Sequence, residues 1–122
     1  MSTVDLTRDT FETTVISGGT VLIDFWAEWC GPCRMFGPIY DTVSSDFPDV
    51  VFGKVDTEAQ QELAGMFNIQ SIPTLMIIRD QVVVFSQAGA LPEAALRDLI
   101  DQALALDMDA VRADIAAAND AN

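Results

Sequence analysis

The stretch Thr20-Val21-Leu22-Ile23-Asp24-Phe25-Trp26-Ala27-Glu28-Trp29-Cys30-Gly31-Pro32-Cys33 decides how the chain is read. Its first eight residues form an apolar, β-favouring run of strand length, interrupted by one carboxylate at Asp24, which reads as a central, buried strand. Downstream of Cys33, apolar residues at Met35, Phe36, Ile39, Tyr40, Val43 and Phe47 fall on one face of a helix. That helix should kink at Pro38 and stop near Phe47-Pro48. A C-x-x-C pair therefore sits where a buried strand passes into a helix.

Working outward, Val50-Val51-Phe52-Gly53-Lys54-Val55-Asp56 reads as a second strand, and residues 60–67 as a short helix capped by Thr57. Thr74-Leu75-Met76-Ile77-Ile78-Arg79 and Val82-Val83-Val84-Phe85 flank Asp80-Gln81, a two-residue gap that suits an antiparallel hairpin. Pro92 suits a helix start, and Leu96, Leu99, Ile100, Ala103 and Leu104 form the apolar stripe of a last core helix. A leading strand over residues 3–6 and a helix over 9–16 complete the pattern. Parallel pairing in the first half and antiparallel pairing in the second give one α/β domain with a mixed sheet. The domain is expected over residues 1–106. An acidic, alanine-rich extension follows over 107–122, partly helical because Met108, Val111 and Ile115 continue an apolar stripe.

The chain has 122 residues, half of them hydrophobic and 20% charged, enough to bury a core in a single globular domain. Its net charge of −13 would be repelled by a phosphate backbone or an anionic membrane, so neither nucleic acid nor membrane is an expected partner. No apolar run approaches the roughly 20 residues of a spanning helix. The start Met1-Ser2-Thr3-Val4-Asp5 lacks the basic and apolar regions of a signal peptide, so a cytoplasmic location is expected. With two cysteines and no histidine, chemistry must rest on cysteine and carboxylate.

Cys30 falls at the helix N-terminus, where free N–H groups and the helix dipole stabilise a thiolate, so it is the expected nucleophile. Cys33, one turn inside, is placed to resolve a mixed disulfide formed at Cys30. The competing reading is half a zinc site, which would need ligands from a second chain or from carboxylates. Asp24, inside a core strand, should resist ionisation and keep a raised pKa, as either a structural acid or a proton-transfer group. Pro73 read alone is a strand-edge proline, and Trp29 read alone is as plausibly a packing residue as a surface one.

Trp26-Ala27-Glu28-Trp29-Cys30-Gly31-Pro32-Cys33-Arg34-Met35 followed by Pro38 closely resembles the active-site segment of the thioredoxin family. The resemblance continues through Lys54-Val55-Asp56, Ser71-Ile72-Pro73-Thr74-Leu75 and Gly89-Ala90, and covers roughly residues 3 to 106. It implies the thioredoxin fold and a thiol–disulfide oxidoreductase acting on protein disulfides. Electrons would be carried by the Cys30–Cys33 pair, with no metal and no bound cofactor. Thioredoxin reductase would recharge the protein, using NADPH, and the protein would act as a monomer. The resemblance further implies that Asp24 is the base for Cys33, with Lys54 modulating its charge, and that Pro73 is a cis-proline against the disulfide. Trp29, Gly31, Pro32, Ile72, Pro73, Gly89 and Ala90 would then form the substrate surface, and Trp26 would pack beneath it. Asp80-Gln81 departs from the Asn-Gly-type turn usual in the family, and Arg34 stands where lysine is common. A binding module on the same fold, or an oxidase or isomerase of exported proteins, is the alternative function.

Overall fold

The computed structural model describes residues 3–120. The strands β1 (Thr3–Asp5), β2 (Thr20–Trp26), β3 (Val51–Asp56), β4 (Thr74–Arg79) and β5 (Val82–Ala88) form one sheet in the order β1-β3-β2-β4-β5. β2 is the central strand, parallel to β3 and antiparallel to β4. Residues 21–25 are all buried, as expected for a strand covered on both faces.

Alternation along β2 sorts the core into two layers. Leu22 faces α2 (Gly31–Ser44) and α4 (Glu93–Leu104), where it packs with Phe36, Tyr40, Phe52, Leu96 and Ile100. Val21, Ile23 and Phe25 face α1 (Arg8–Gly18) and α3 (Gln61–Met66), against Phe11 and Leu63. Each such fully buried side chain contributes about 1.5–3 kcal/mol relative to exposure. Because side chains alternate with period two, Asp24 must share the Leu22 face and lie under α2. Tyr40, also buried there, donates its hydroxyl to the Gly53 carbonyl at 2.8 Å, so its polar end is satisfied.

Several local expectations are corrected by tertiary contacts. Thr57 does not cap α3: its hydroxyl and N–H both donate to the Trp26 carbonyl, at 3.1 and 2.9 Å, tying the β3–α3 turn to the end of β2. Asp56 Oδ1 accepts from the Glu58 and Ala59 N–H groups instead, and α3 starts only at Gln61, without a side-chain cap. α2 runs through Pro38 and ends at Ser44, not near Phe47. The chain tightens there through Asp46 N–H to Val43 and Phe47 N–H to Ser44 carbonyl bonds, and Phe47 still packs on the core. The Asp80-Gln81 hairpin forms as expected, with φ of 50° and 69°. Both residues occupy the left-handed region that a two-residue turn of this hand requires.

α1 begins with a reciprocal cap between Thr7 and Thr10. α4 lacks a basic residue in its last turn. Arg79, at the end of β4, supplies one from outside, donating to the carbonyls of Ala103, Leu104 and Leu106 at 2.9, 3.1 and 2.8 Å. α5 (Met108–Asp120) follows, with Asp107 Oδ1 accepting from the N–H groups of Asp109 and Ala110. Met108 is buried, and Arg112 reaches Asp80 of the hairpin turn at 3.6 Å.

Candidate active site

The site sits where β2 leaves the sheet and α2 begins. Cys30 is the N-cap of α2, with extended backbone (φ −85°, ψ 114°), and its Sγ accepts the Cys33 N–H at 3.2 Å. An N-cap ordinarily presents a side-chain oxygen to these orphan donors. Here the sulfur takes that place, and once the bond is reduced the same N–H and helix dipole favour the thiolate over the thiol. Cys30 and Cys33 are joined in a disulfide with Cα atoms 5.2 Å apart, and both are nearly buried. Gly31 and Pro32, between them, are exposed.

Asp24, on the Leu22 face of β2, lies in the layer that α2 covers. It is 1% exposed, and neither carboxylate oxygen has a hydrogen-bond partner among the described residues. Burial raises its pKa from 3.8 to about 7. Lys54, its register neighbour on β3, pulls the other way, and Asp41 on α2 adds to the rise. Desolvation wins because the ammonium is half-buried and not in hydrogen-bond contact, while the carboxylate is almost fully buried. Lys54 Nζ instead stands 5.0 Å from the centre of the Trp26 ring, which packs against the cluster of Ala27, Cys30 and Cys33.

Above the disulfide, the Ile72–Pro73 peptide bond is cis, and the Ile72 carbonyl lies 3.7 Å from Cys30 Sγ. Ile72 packs on the cysteines, Pro73 is buried, and Gly89 and Ala90 are exposed. Gly89, at φ 114°, donates its N–H to the Pro73 carbonyl at 2.8 Å, which brings the two loops together. Trp29 is 66% exposed, resolving the choice between packing and surface in favour of the surface. Its indole N–H donates to Glu58 Oε1 at 2.6 Å, which fixes the ring beside Cys30.

Of the residues singled out in the sequence, Trp26 and Ile72 pack on the cysteines, Lys54 shares a cleft with Cys33, Gly89 is tied to Pro73, and Asp24 is the register neighbour of Lys54. The structure adds two that were not singled out. Glu58 orients Trp29, and no local pattern marks it. Asp41 lines an open cleft together with Cys33, Lys54 and Trp26. Its signal was present in the spacing, since Cys33, Gly37 and Asp41 recur every four residues along one helix face.

Comparison with known proteins agrees with this arrangement. The family model described as Thioredoxin matches residues 2–102. A Streptomyces coelicolor protein named as a thioredoxin is 64% identical over 115 residues, 94% of this chain and 86% of that protein. The Bacillus subtilis thioredoxin is 40% identical over 89 residues, 72% of this chain and 86% of that one. Among solved structures, a mutant thioredoxin from Halobacterium salinarum superposes with a TM-score of 0.80 at 30% identity, covering 87% of this chain and 94% of the other. With its central mixed sheet and a Cys30–Cys33 disulfide at the start of α2, the chain belongs to the thioredoxin family and is a thiol–disulfide oxidoreductase.

Proposed function

We propose that the protein reduces protein disulfides with Cys30 as nucleophile, Cys33 as resolving thiol and Asp24 as the base for Cys33. The observation that supports this assignment is the asymmetry of the pair. Cys30 Sγ receives the Cys33 N–H at the helix start, whereas Cys33 lies one turn inside α2, which covers the face of β2 that carries a carboxylic acid, Asp24, with a pKa of about 7. An acid with that value can accept a proton near neutral pH and give it back.

In the reduced protein the Cys30 thiolate attacks one sulfur of the target disulfide. A Cys30–target disulfide forms and the first target sulfur leaves as a thiolate. Asp24 takes the Cys33 proton, and the Cys33 thiolate attacks Cys30 Sγ. The Cys30–Cys33 bond closes and the second target thiolate is released and protonated. Two electrons have then passed from the dithiol to the target. Lys54 moderates how far burial raises the Asp24 pKa.

The target would lie across Trp29, Gly31, Pro32, Ile72, Pro73, Gly89 and Ala90. The Ile72 N–H makes no backbone hydrogen bond among the described residues, which leaves it for an extended substrate segment. Family membership supports recharging by thioredoxin reductase at the expense of NADPH, with no group beyond the disulfide needed on this chain. Among the described residues no helix is long and apolar enough to cross a membrane. We place the protein in the cytoplasm, acting as a monomer.

Insulin reduction by the wild type and by Cys30→Ser tests the activity. Trapping tests the roles: Cys33→Ser should accumulate lasting mixed disulfides with targets. If Cys30→Ser traps targets and Cys33→Ser does not, the roles are reversed.

A further inference from the structure

A cleft of about 280 Å³ opens beside the disulfide, with Cys33, Gly37, Asp41, Lys54 and Trp26 among its lining residues. At about 30 Å³ per molecule it has room for several waters. The buried side-chain atoms left without a hydrogen-bond partner among the described residues are both Asp24 oxygens, Trp26 Nε1 and Asp41 Oδ1. Trp26, Asp41 and Lys54 line the cleft, and Asp24 is the register neighbour of Lys54 and within electrostatic reach of Asp41. Orphan polar atoms on Trp26 and Asp41 at one open cleft favour water there, because each would otherwise bear an uncompensated desolvation cost. Gly37, between Cys33 and Asp41, borders open space, since a Cβ there would meet nothing within 4 Å.

We propose that Asp41 is a positioning residue for the resolving step: its unpartnered oxygen anchors water in the cleft, and through that water Asp24 exchanges with solvent the proton it takes from Cys33. This rests on the assignment of Asp24 as the base. Asp24 is itself sealed from solvent, so the proton that leaves Cys33 needs a route that the cleft supplies. The charged and titratable groups acting on Asp24 are Lys54 from β3 and Tyr40 and Asp41 from α2, and Cys33 lines the cleft with Lys54 and Asp41. Glu28 and Arg34 stand at the rim, and β4 presents the apolar Leu75. Removing the Asp41 charge leaves Lys54 to oppose burial with less resistance, so Asp24 should also ionise at lower pH.

The reduced full-length protein, mixed with less than one equivalent of a thionitrobenzoate disulfide, releases one chromophore on attack and a second on resolution. Followed by stopped flow across pH, Asp41→Ala should slow the second release several-fold and move its midpoint to lower pH, and Asp41→Glu should restore both. A wild-type plateau and midpoint in Asp41→Ala would overturn the proposal, as would failure of Asp41→Glu to restore them. Asp24→Asn, run in parallel, separates the two levels. If it slows the second release and Asp41→Ala does not, the water path is wrong and the base stands. If neither slows it, the base assignment falls and the path falls with it.

Discussion

Replacing Asp24 by asparagine should make the protein more stable at alkaline pH, by an amount that the structure sets. In the native protein the acid titrates at about 7, against 3.8 when unfolded. Between those values the native state keeps a proton that the unfolded state has lost, so stability falls as pH rises and levels off above about 7. Each pH unit in that interval lowers wild-type stability by about 1.4 kcal/mol, about 4 kcal/mol in all. Asparagine cannot ionise and escapes this loss, but a buried amide without partners costs about 1–3 kcal/mol at every pH. The net gain at pH 8 should therefore be about 1–3 kcal/mol, whereas near pH 4 the variant should be no more stable than wild type. Urea unfolding of both proteins with the disulfide kept oxidised, at intervals from pH 4 to pH 8, reads the difference directly. Since the amide penalty does not depend on pH, the diagnostic quantity is the change in that difference, about 4 kcal/mol. A difference that stays constant across the range would refute the buried, high-pKa acid.

Gly53→Ala should destabilise the fold by about 1–3 kcal/mol, because its Cβ would stand 2.5 Å from Leu6 Cδ1 and 3.2 Å from the Leu22 carbonyl; thermal or urea melts check this, and an unchanged midpoint would show that Leu6 moves aside freely. Deleting residues after Leu106 removes the buried Met108 and the Arg112–Asp80 pair but nothing at the disulfide. Insulin reduction should be nearly unchanged while stability falls by about 1–2 kcal/mol. A several-fold loss of activity in a folded truncation would show that the extension takes part in the reaction.

The elements of this protein were legible in its sequence because their causes are local. An apolar run of eight residues, Thr20 to Ala27, three residues before Cys30 reads as a buried strand leading to a helix start, and the two-residue gap at Asp80-Gln81 leaves little choice but a tight hairpin. The helix start also placed Cys30 at the dipole and Cys33 a turn inside, so the asymmetry of the two positions could be read from spacing alone. What spacing could not decide is which distant segments pay court to one another. Thr57 has the chemistry of a helix cap, yet the end of β2 lies within reach and takes its hydroxyl. Arg79 looks like a strand-end charge until the fold sets three carbonyls at and just beyond the α4 terminus before it. Asp24 and Lys54 lie thirty residues apart in the chain and become neighbours only through the register of β2 on β3. The elevated pKa of Asp24 depends likewise on α2 closing over it, and the orphan oxygen of Asp41 on the cleft which that closure leaves. Short-range periodicity and steric preference act within a few residues of chain, whereas desolvation and charge act through space, so they take their values only after the sheet and helices have packed.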